Sequence, residues 1–288
     1  MTESYDAFAG VYDALMDNIP YDEWVSYICA LLHSCGIDKG LICELGCGTG
    51  NVTERLFQKG FDMIGIDNAP QMLELAEKKK EAAQSDSLYL CQDMREFELY
   101  GTVDAVISVC DSINYILNPD ELLSVFRLVN NYLETDGIFV FDFHTKHYYK
   151  NVVADATIAE DREDISFIWD NYYDDETDIN ELYLSLFLPV SAEEAGISVA
   201  SLQNVPLYRK FEEQHLQRGY TLEEMQALVE KSGLIPLHAY DAFTEEDASE
   251  QSERIYMVCR EHTPGGAKKE LSDMLHATEN KKNRKDTT

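Results

Sequence analysis

A glycine-rich segment, ELGCGTGN at residues 44–51, begins in the last residues of a short apolar run, 41–46. Gly46, Gly48 and Gly50 permit a tight turn and let a ligand approach the main chain closely. The segment after the turn has the pattern of a helix, whose first amides and positive dipole end can meet a polar ligand. The turn therefore predicts a nucleotide-like ligand at the end of the first strand of an α/β sheet.

The residues around the turn narrow the kind of ligand. A dinucleotide-binding fingerprint, G-x-G-x-x-G, would need a third glycine where Asn51 stands. Glu44 precedes the first glycine by two positions, and a carboxylate there suits a cationic ligand better than a phosphate. A dinucleotide is therefore disfavoured.

Acidic residues also end the next two apolar runs. Asp67 ends the second run, where a carboxylate can accept hydrogen bonds from both ribose hydroxyls. Asp93 follows the third run, where it suits the exocyclic amine of an adenine, and Met94 offers the ring an apolar contact. A ribose, an adenine and no phosphate clamp indicate a nucleoside that carries an amino acid.

Short apolar runs alternate with helical periodicity, which predicts parallel βαβ units. The runs lie at 41–46, 62–67, 87–93, 103–109 and 137–143, and the clearest helix is predicted over 119–134. Alternating apolar positions at 165–174, 179–190 and 207–217 predict an antiparallel meander. Thr221 and Glu224 predict a capping box for a helix that ends at Gly233, with strands near 235–243 and 254–260.

Composition excludes several classes of protein. The 288 residues are 45% hydrophobic and 27% charged, as expected for one large or two small globular domains. We expect no membrane span, and the net charge of −31 disfavours a nucleic-acid partner because phosphates would be repelled. Seven cysteines without a Cys-x-x-Cys pair fit a reducing, cytoplasmic environment. The sequence leaves the oligomeric state open between monomer and dimer.

The glycine turn, the spaced acids and the order of elements resemble the class I S-adenosylmethionine-dependent methyltransferases over roughly 36–147 and 218–261. The opening YDAFAGVYDALM and the β insertion also resemble a bacterial subset and glycine N-methyltransferase-type enzymes. The resemblance implies a Rossmann-like doubly wound sheet of mostly parallel strands with an antiparallel last strand. The predicted organisation has five parts. They are a helical cap (1–35), a first core part (36–147), an inserted antiparallel β lid (148–217), a second core part (218–263) and a disordered polar tail (264–288).

The resemblance also implies S-adenosylmethionine as cofactor and a set of residues that bind it. The glycine turn would pass the methionine part, Asp67 would hold the ribose, and Asp93 with Met94 would flank the adenine. Cys110 and Asp111 would lie beside the methyl-bearing sulfur. The full predicted set is Tyr5, Tyr12, Glu44, Gly46, Cys47, Gly48, Gly50, Asp67, Asn68, Met72, Asp93, Met94, Cys110 and Asp111.

The acceptor is predicted to be a small molecule, and two segments offer catalytic residues for it. His144 follows the fifth strand, at the sheet edge where ligands of open α/β folds gather. His215, Arg218 and Tyr220 end the meander, and they converge only if the strand stops or bulges between 215 and 218. His144-x-x-His147 lacks a third ligand, so no metal site is predicted.

Three alternatives remain at this stage. A methyltransferase that acts on transfer RNA would need a basic groove despite the acidic composition. A regulatory module could keep the cofactor pocket without turnover. A nicotinamide oxidoreductase fits least well, because Asn51 replaces the third glycine of the fingerprint.

Overall fold

A seven-stranded sheet forms the centre of the computed structural model, which describes residues 11–262 except 14, 17–18, 163–164 and 192–205. Its strands are β1 (Leu41–Leu45), β2 (Asp62–Asp67), β3 (Leu88–Cys91), β4 (Val103–Ser108), β5 (Leu133–His144), β10 (Ile235–Asp241) and β11 (Arg254–Arg260). The order is β10-β11-β5-β4-β1-β2-β3. The first five strands are parallel, whereas β11 is antiparallel to β5 and β10 is antiparallel to β11.

Helices cover both faces of this sheet. They are α1 (Tyr21–Ser34), α2 (Asn51–Gln58), α3 (Pro70–Ala83), α4 (Pro119–Tyr132) and α5 (Leu222–Ser232), and residues 11–13 are also helical. Side chains alternate across each strand, so β1 sends Cys43 and Leu45 to one apolar core and Ile42 to the other. The residues of both cores are buried and closely packed, and this packing holds the strand ends in place.

A second, four-stranded antiparallel sheet lies between β5 and α5 along the chain. It consists of β6 (Thr157–Asp161), β7 (Ser166–Asp174), β8 (Ile179–Val190) and β9 (Leu207–Arg218), in that order. Leu182, Leu184 and Leu186 are buried on one face of β8, while Tyr183 on the other face is exposed. Strand β6 escaped prediction because its apolar residues, Ile158 and Ala159, are adjacent and do not alternate with polar ones; all five of its residues are exposed.

The observed fold class confirms the prediction of a mostly parallel, doubly wound sheet with an antiparallel last strand and an antiparallel insertion. The capping box of Thr221 and Glu224 is present, and Gly233 ends α5 in the left-handed conformation. Strand β5 begins earlier than predicted, at Leu133, and a π-helix (Tyr148–Val153) follows it. The division of the chain into domains stays a prediction, and both the opening residues 1–10 and the proposed tail lie outside the described residues.

Candidate active site

A cavity of about 720 Å³ lies over the carboxyl ends of the parallel strands and beneath the antiparallel sheet. Parallel strands end at one edge, so residues that are distant in sequence meet there. The predicted residues on its wall are Tyr12, Glu44, Gly46, Cys47, Gly48, Asp67, Asn68, Met72, Asp93, Met94, Cys110, Asp111, His144 and His215. Tyr5 lies outside the described residues, and Gly50, Arg218 and Tyr220 are not on the wall.

The glycine turn is shaped by close packing and by one carboxylate. A Cβ atom at Gly46 would come within 2.5 Å of the Ser112 hydroxyl, whereas Gly48 has open space around it. The Oδ2 atom of Asp67 accepts a hydrogen bond from the Gly48 amide at 2.8 Å, and its Oδ1 accepts one from the Ala69 amide at 2.9 Å. Asp67 therefore ties the end of β2 to the turn after β1 and still lines the cavity.

Gly50 has a structural role. Its φ of +75° places it in the left-handed region as the N-cap of α2, and Tyr89 fills the space that a side chain would need. The Tyr89 hydroxyl donates to Glu54 at 2.8 Å, which holds the Tyr89 ring in that space. Gly50 thus forms the turn and lies off the cavity wall, and its contact with the cofactor stays a prediction.

Glu44 is buried at the start of the turn and accepts a hydrogen bond from the Thr53 hydroxyl. Burial raises the pKa of Glu44 to about 8, the Thr53 bond opposes this shift, and the nearby Asp67 adds to it. A cation in the cavity would favour the ionised form. Glu44 can therefore respond to a charged ligand.

The opposite rim is formed by Asp93 and its neighbours. The Arg95 guanidinium donates to Oδ1 of Asp93 at 3.0 Å and to Oδ2 at 2.6 Å, and these bonds lower the pKa of that carboxyl group. Met94 lines the wall beside them, and Asn68 and Met72 line it after β2. The rim thus combines an ionised acceptor with apolar side chains.

A buried ionic network lies at the ends of β4, β5 and β11. Arg254 donates to Asp142 and, at 2.9 Å, to Oδ1 of Asp111. The Asp111 amide donates to Asp142 at 2.9 Å, and both Cys110 and Asp111 have positive φ angles, of 60° and 53°. Two carboxylates thus share one guanidinium, and strained backbone holds Asp111 at the cavity wall.

His144 belongs to the same network. Arg254 approaches His144 Nε2 at 2.8 Å, and because a guanidinium can only donate, that nitrogen accepts. Burial, and then the Arg254 charge, lowers the pKa of His144 well below its usual range. The ring is neutral and lies 3.9 Å from the Tyr148 ring, between centroids.

The inner face of the antiparallel sheet closes the cavity. His215 and Gln217, two residues apart on β9, both face it. Gln217 donates to Asp111 Oδ2 at 2.7 Å and accepts from the Tyr149 hydroxyl at 3.1 Å. His215 Nδ1 lies 3.3 Å from the Tyr115 hydroxyl, and burial lowers the pKa of His215. The antiparallel sheet is therefore joined directly to the ionic network of Arg254, Asp111 and Asp142.

Arg218 and Tyr220 do not converge with His215. The β8–β9 pairing is unbroken from Val190–Leu207 to Ile179–Arg218, so the required bulge is absent and Arg218 lies on the other face. Its guanidinium lies 3.4 Å from Asp178, and Tyr220 is buried with its hydroxyl donating to the Ile116 carbonyl at 2.6 Å. This corrects the assignment of both residues to acceptor contact: they fasten the sheet to the core.

The helical segment at 11–13 is attached to the glycine turn. Tyr12 lines the cavity, and burial, with Tyr21 next, raises its pKa well above the usual value. Asp13 accepts from Thr49 at 2.8 Å and from Asn51 at 2.9 Å, and it pairs with Lys79 at 2.7 Å. These bonds hold Tyr12 over the turn, where the sequence predicted a cap.

Three wall residues, and the buried Asp142 that pairs with one of them, were missed by the sequence analysis. Asp142, Gln217, Arg254 and Tyr149 are brought together only by strand pairing, and no local motif marks them. Asp142 could have been noticed, because a carboxylate inside the apolar run 137–143 needs a partner. Among the residues described, no cluster of three or more His, Cys, Asp or Glu side chains is arranged to hold a metal ion.

Comparison with known proteins agrees with this geometry. The methyltransferase-domain family model matches residues 42–137. The "Putative methyltransferase YqeM" of Bacillus subtilis (strain 168) is 36% identical over 254 residues, which are 88% of this chain and 95% of that protein. This chain belongs to the class I S-adenosylmethionine-dependent methyltransferases. S-adenosylmethionine is the cofactor of this enzyme family, as the resemblance implied.

Solved structures extend the likeness to the whole methyltransferase. An S-adenosylmethionine-dependent methyltransferase from Clostridium acetobutylicum has a TM-score of 0.77 at 25% identity, covering 90% of this chain and 99% of that one. CalS10 from Micromonospora echinaspora, an amino pentose methyltransferase with S-adenosylmethionine bound, has a TM-score of 0.68 at 17% identity, covering 88% and 97%. The second likeness concerns the fold alone.

The methyltransferase cavity fits its cofactor chemically. The open turn at Gly48, the carboxylate of Asp67 and the mixed polar and apolar rim at Asp93 and Met94 match a nucleoside that carries an amino acid. Within the described ranges, no helix is long and apolar enough to cross a membrane.

Proposed function

We propose that this methyltransferase transfers a methyl group to a small-molecule acceptor bound between the strand ends and the antiparallel sheet. The observation that carries the proposal is the roofed cavity of about 720 Å³, which is of the size that holds small ligands in proteins. The net charge of −31 and the enclosing sheet both disfavour a transfer RNA. The structural neighbour CalS10, an amino pentose methyltransferase, shows that this fold can accommodate a small polar acceptor.

We infer that the cofactor lies along the floor of this cavity. Gly46 and Gly48 would face its methionine part, Asp67 its ribose, and Asp93 with Met94 its adenine. Tyr12, held by the contacts of Asp13, would cover it. When bound, S-adenosylmethionine supplies an electrophilic methyl group on a positively charged sulfur.

The chain's own residues then position the acceptor and receive its proton. Asp111, bonded to both Arg254 and Gln217, holds a fixed negative charge where the strand ends meet the sheet. His215 is kept neutral by burial, and a neutral imidazole can accept a proton from an amine or hydroxyl. His144 shares its Nε2 with Arg254, so it is a poorer base and more suitable as a wall residue.

A single experiment tests this function. The protein is incubated with methyl-labelled S-adenosylmethionine and the low-molecular-weight fraction of a bacterial extract, and the labelled product is identified by mass spectrometry. We expect His215→Ala to bind S-adenosylhomocysteine normally and to transfer methyl about 100-fold more slowly, a typical loss for a general base. The control is His33→Ala, which changes an exposed histidine on α1. Labelling of transfer RNA in a parallel incubation with the RNA fraction of the extract, or of nothing in either fraction, would contradict the proposal.

A further inference from the structure

Two asparagines lie on the cavity side of the antiparallel sheet. Asn171 on β7 and Asn180 on β8 are 8% and 1% exposed, and both line the cavity. Asn180 Nδ2 donates to Asn171 Oδ1 at 3.2 Å. In the β8–β9 register Asn180 is paired with Gln217, whose side chain donates to Asp111. The pair is thus one side chain away from the ionic network at the strand ends.

A tryptophan fixes which way both amides point. Trp169 Nε1 donates to Asn171 Oδ1 at 3.2 Å, and an indole N–H can only donate. The other end of the Asn171 amide, Nδ2, donates to the Ala156 carbonyl at 3.2 Å. Since Asn171 must therefore present oxygen to Asn180, Asn180 must present its nitrogen in return. The Asn180 oxygen takes no part in this chain of bonds.

That oxygen has no hydrogen-bond partner among the described residues, although it is fully buried. A buried acceptor without a donor is costly, so a native fold keeps one where something else supplies the donor. We propose, building on the function proposed above, that Asn180 Oδ1 accepts a hydrogen bond from an N–H or O–H group of the methyl acceptor. Asn180 would then be a specificity-determining residue of the acceptor site.

The neighbouring groups favour a donor over an anion at this point. Both ends of the Gln217 amide are occupied, by the Tyr149 hydroxyl and by Asp111. Asp111 and Asp142 outnumber the single cation Arg254 that they share. An acceptor carboxylate or phosphate placed against Asn180 would meet an oxygen and a negative network. An amine or a hydroxyl would satisfy the oxygen and tolerate the charge.

The test uses Asn180→Leu, which keeps the approximate shape and removes the oxygen, and Trp169→Phe, which keeps an aromatic ring and removes the N–H that orients the amides. The control is Tyr183→Phe, an exposed residue on the opposite face of β8. Methyl transfer from labelled S-adenosylmethionine is followed at increasing amounts of the same bacterial extract. The affinity for S-adenosylhomocysteine is measured in parallel.

We expect Asn180→Leu to raise the half-saturating amount of extract about tenfold, the usual effect of losing one hydrogen bond of this kind. Trp169→Phe should raise it by a smaller factor, and in both variants affinity for S-adenosylhomocysteine should stay within twofold of the parent. Treating the extract with an amine-acetylating reagent separates the two donor classes: transfer is lost for an amine acceptor and kept for a hydroxyl.

Unchanged half-saturation in both variants would overturn the inference while leaving the methyltransferase proposal intact. Transfer chiefly to an acceptor without any N–H or O–H would also overturn it. Absence of transfer by the parent protein would instead count against the proposed function.

Discussion

Removing the shared cation at the strand ends should destabilise the fold strongly. Arg254 is 14% exposed and pairs with Asp142, which is fully buried, and with Asp111. Arg254→Met keeps the apolar length of the side chain but leaves two carboxylates facing each other. Breaking a buried pair on one side costs about 3–5 kcal/mol. For a chain of this size, that corresponds to a fall in Tm of roughly 6–20 °C.

The loss of stability in Arg254→Met should become smaller at lower pH. Burial already raises the pKa of Asp142 against the opposing charge of Arg254, so removal of that charge raises the pKa of Asp142 further. A carboxyl group whose pKa is higher in the folded than in the unfolded state takes up a proton on folding. The Tm difference between the variant and the parent should therefore shrink as the pH falls from 8 to 5.

Thermal unfolding of the parent, Arg254→Met and the double variant Asp142→Asn, Arg254→Met measures this coupling. The double variant should recover 0.5–3 kcal/mol, roughly the range for residues in one ionic network. Arg260→Met, at the other end of β11, is the matched control and should cost about 1 kcal/mol or less. An Arg254→Met shift no larger than the control, or one independent of pH, would refute the reasoning.

The cofactor site gives two further predictions. Asp67→Asn should weaken S-adenosylhomocysteine binding at least tenfold by calorimetry, because a bond to a charged acceptor is worth roughly 1.5–3 kcal/mol; unchanged affinity would place the ribose elsewhere. S-adenosylmethionine should bind more tightly as the pH rises from 6.5 towards 8.5. Its positive charge favours the ionised form of Glu44. Because the pKa of Glu44 is about 8, that carboxyl group must lose a proton on binding at lower pH. Glu44→Gln should remove most of this pH dependence of the affinity. If the variant keeps the parent's pH dependence, the dependence belongs to another titrating group.

Local patterns were sufficient to predict most of the fold. The alternation of apolar runs with helical stripes predicted the parallel strands, and the capping box located α5 correctly. Apolar alternation did not predict the one described strand of the antiparallel sheet whose residues are all exposed. The apolar residues of this strand, β6, are adjacent and do not alternate with polar ones, although β7 pairs along its length.

The residues of the candidate site also fall into those that local sequence predicts and those that it does not. The glycine turn and Asp67 are close in sequence to the strands that position them, so their place at the strand ends could be predicted. Arg254 reaches Asp111 only through the antiparallel pairing of β11 with β5, a contact that no local motif encodes. The prediction for Arg218 failed for a related reason: it needed a bulge in β9, and an unbroken register cannot be read from one strand alone.

On the function proposed above, the antiparallel sheet would be the part of the fold that selects the acceptor. Only alternate residues of each strand face the cavity, as His215 and Gln217 do on β9, while their neighbours face away. Substitutions at those positions alter the roof of the acceptor site without touching the glycine turn or Asp67, which belong to the parallel sheet. Gln217 bonds the roof to Asp111, and Asn114 donates to the Arg218 carbonyl at 2.7 Å, so contacts with the core hold the end of β9 in place. We therefore expect substitutions in the antiparallel sheet to change acceptor choice, and substitutions in the glycine turn or at Asp67 to change cofactor binding.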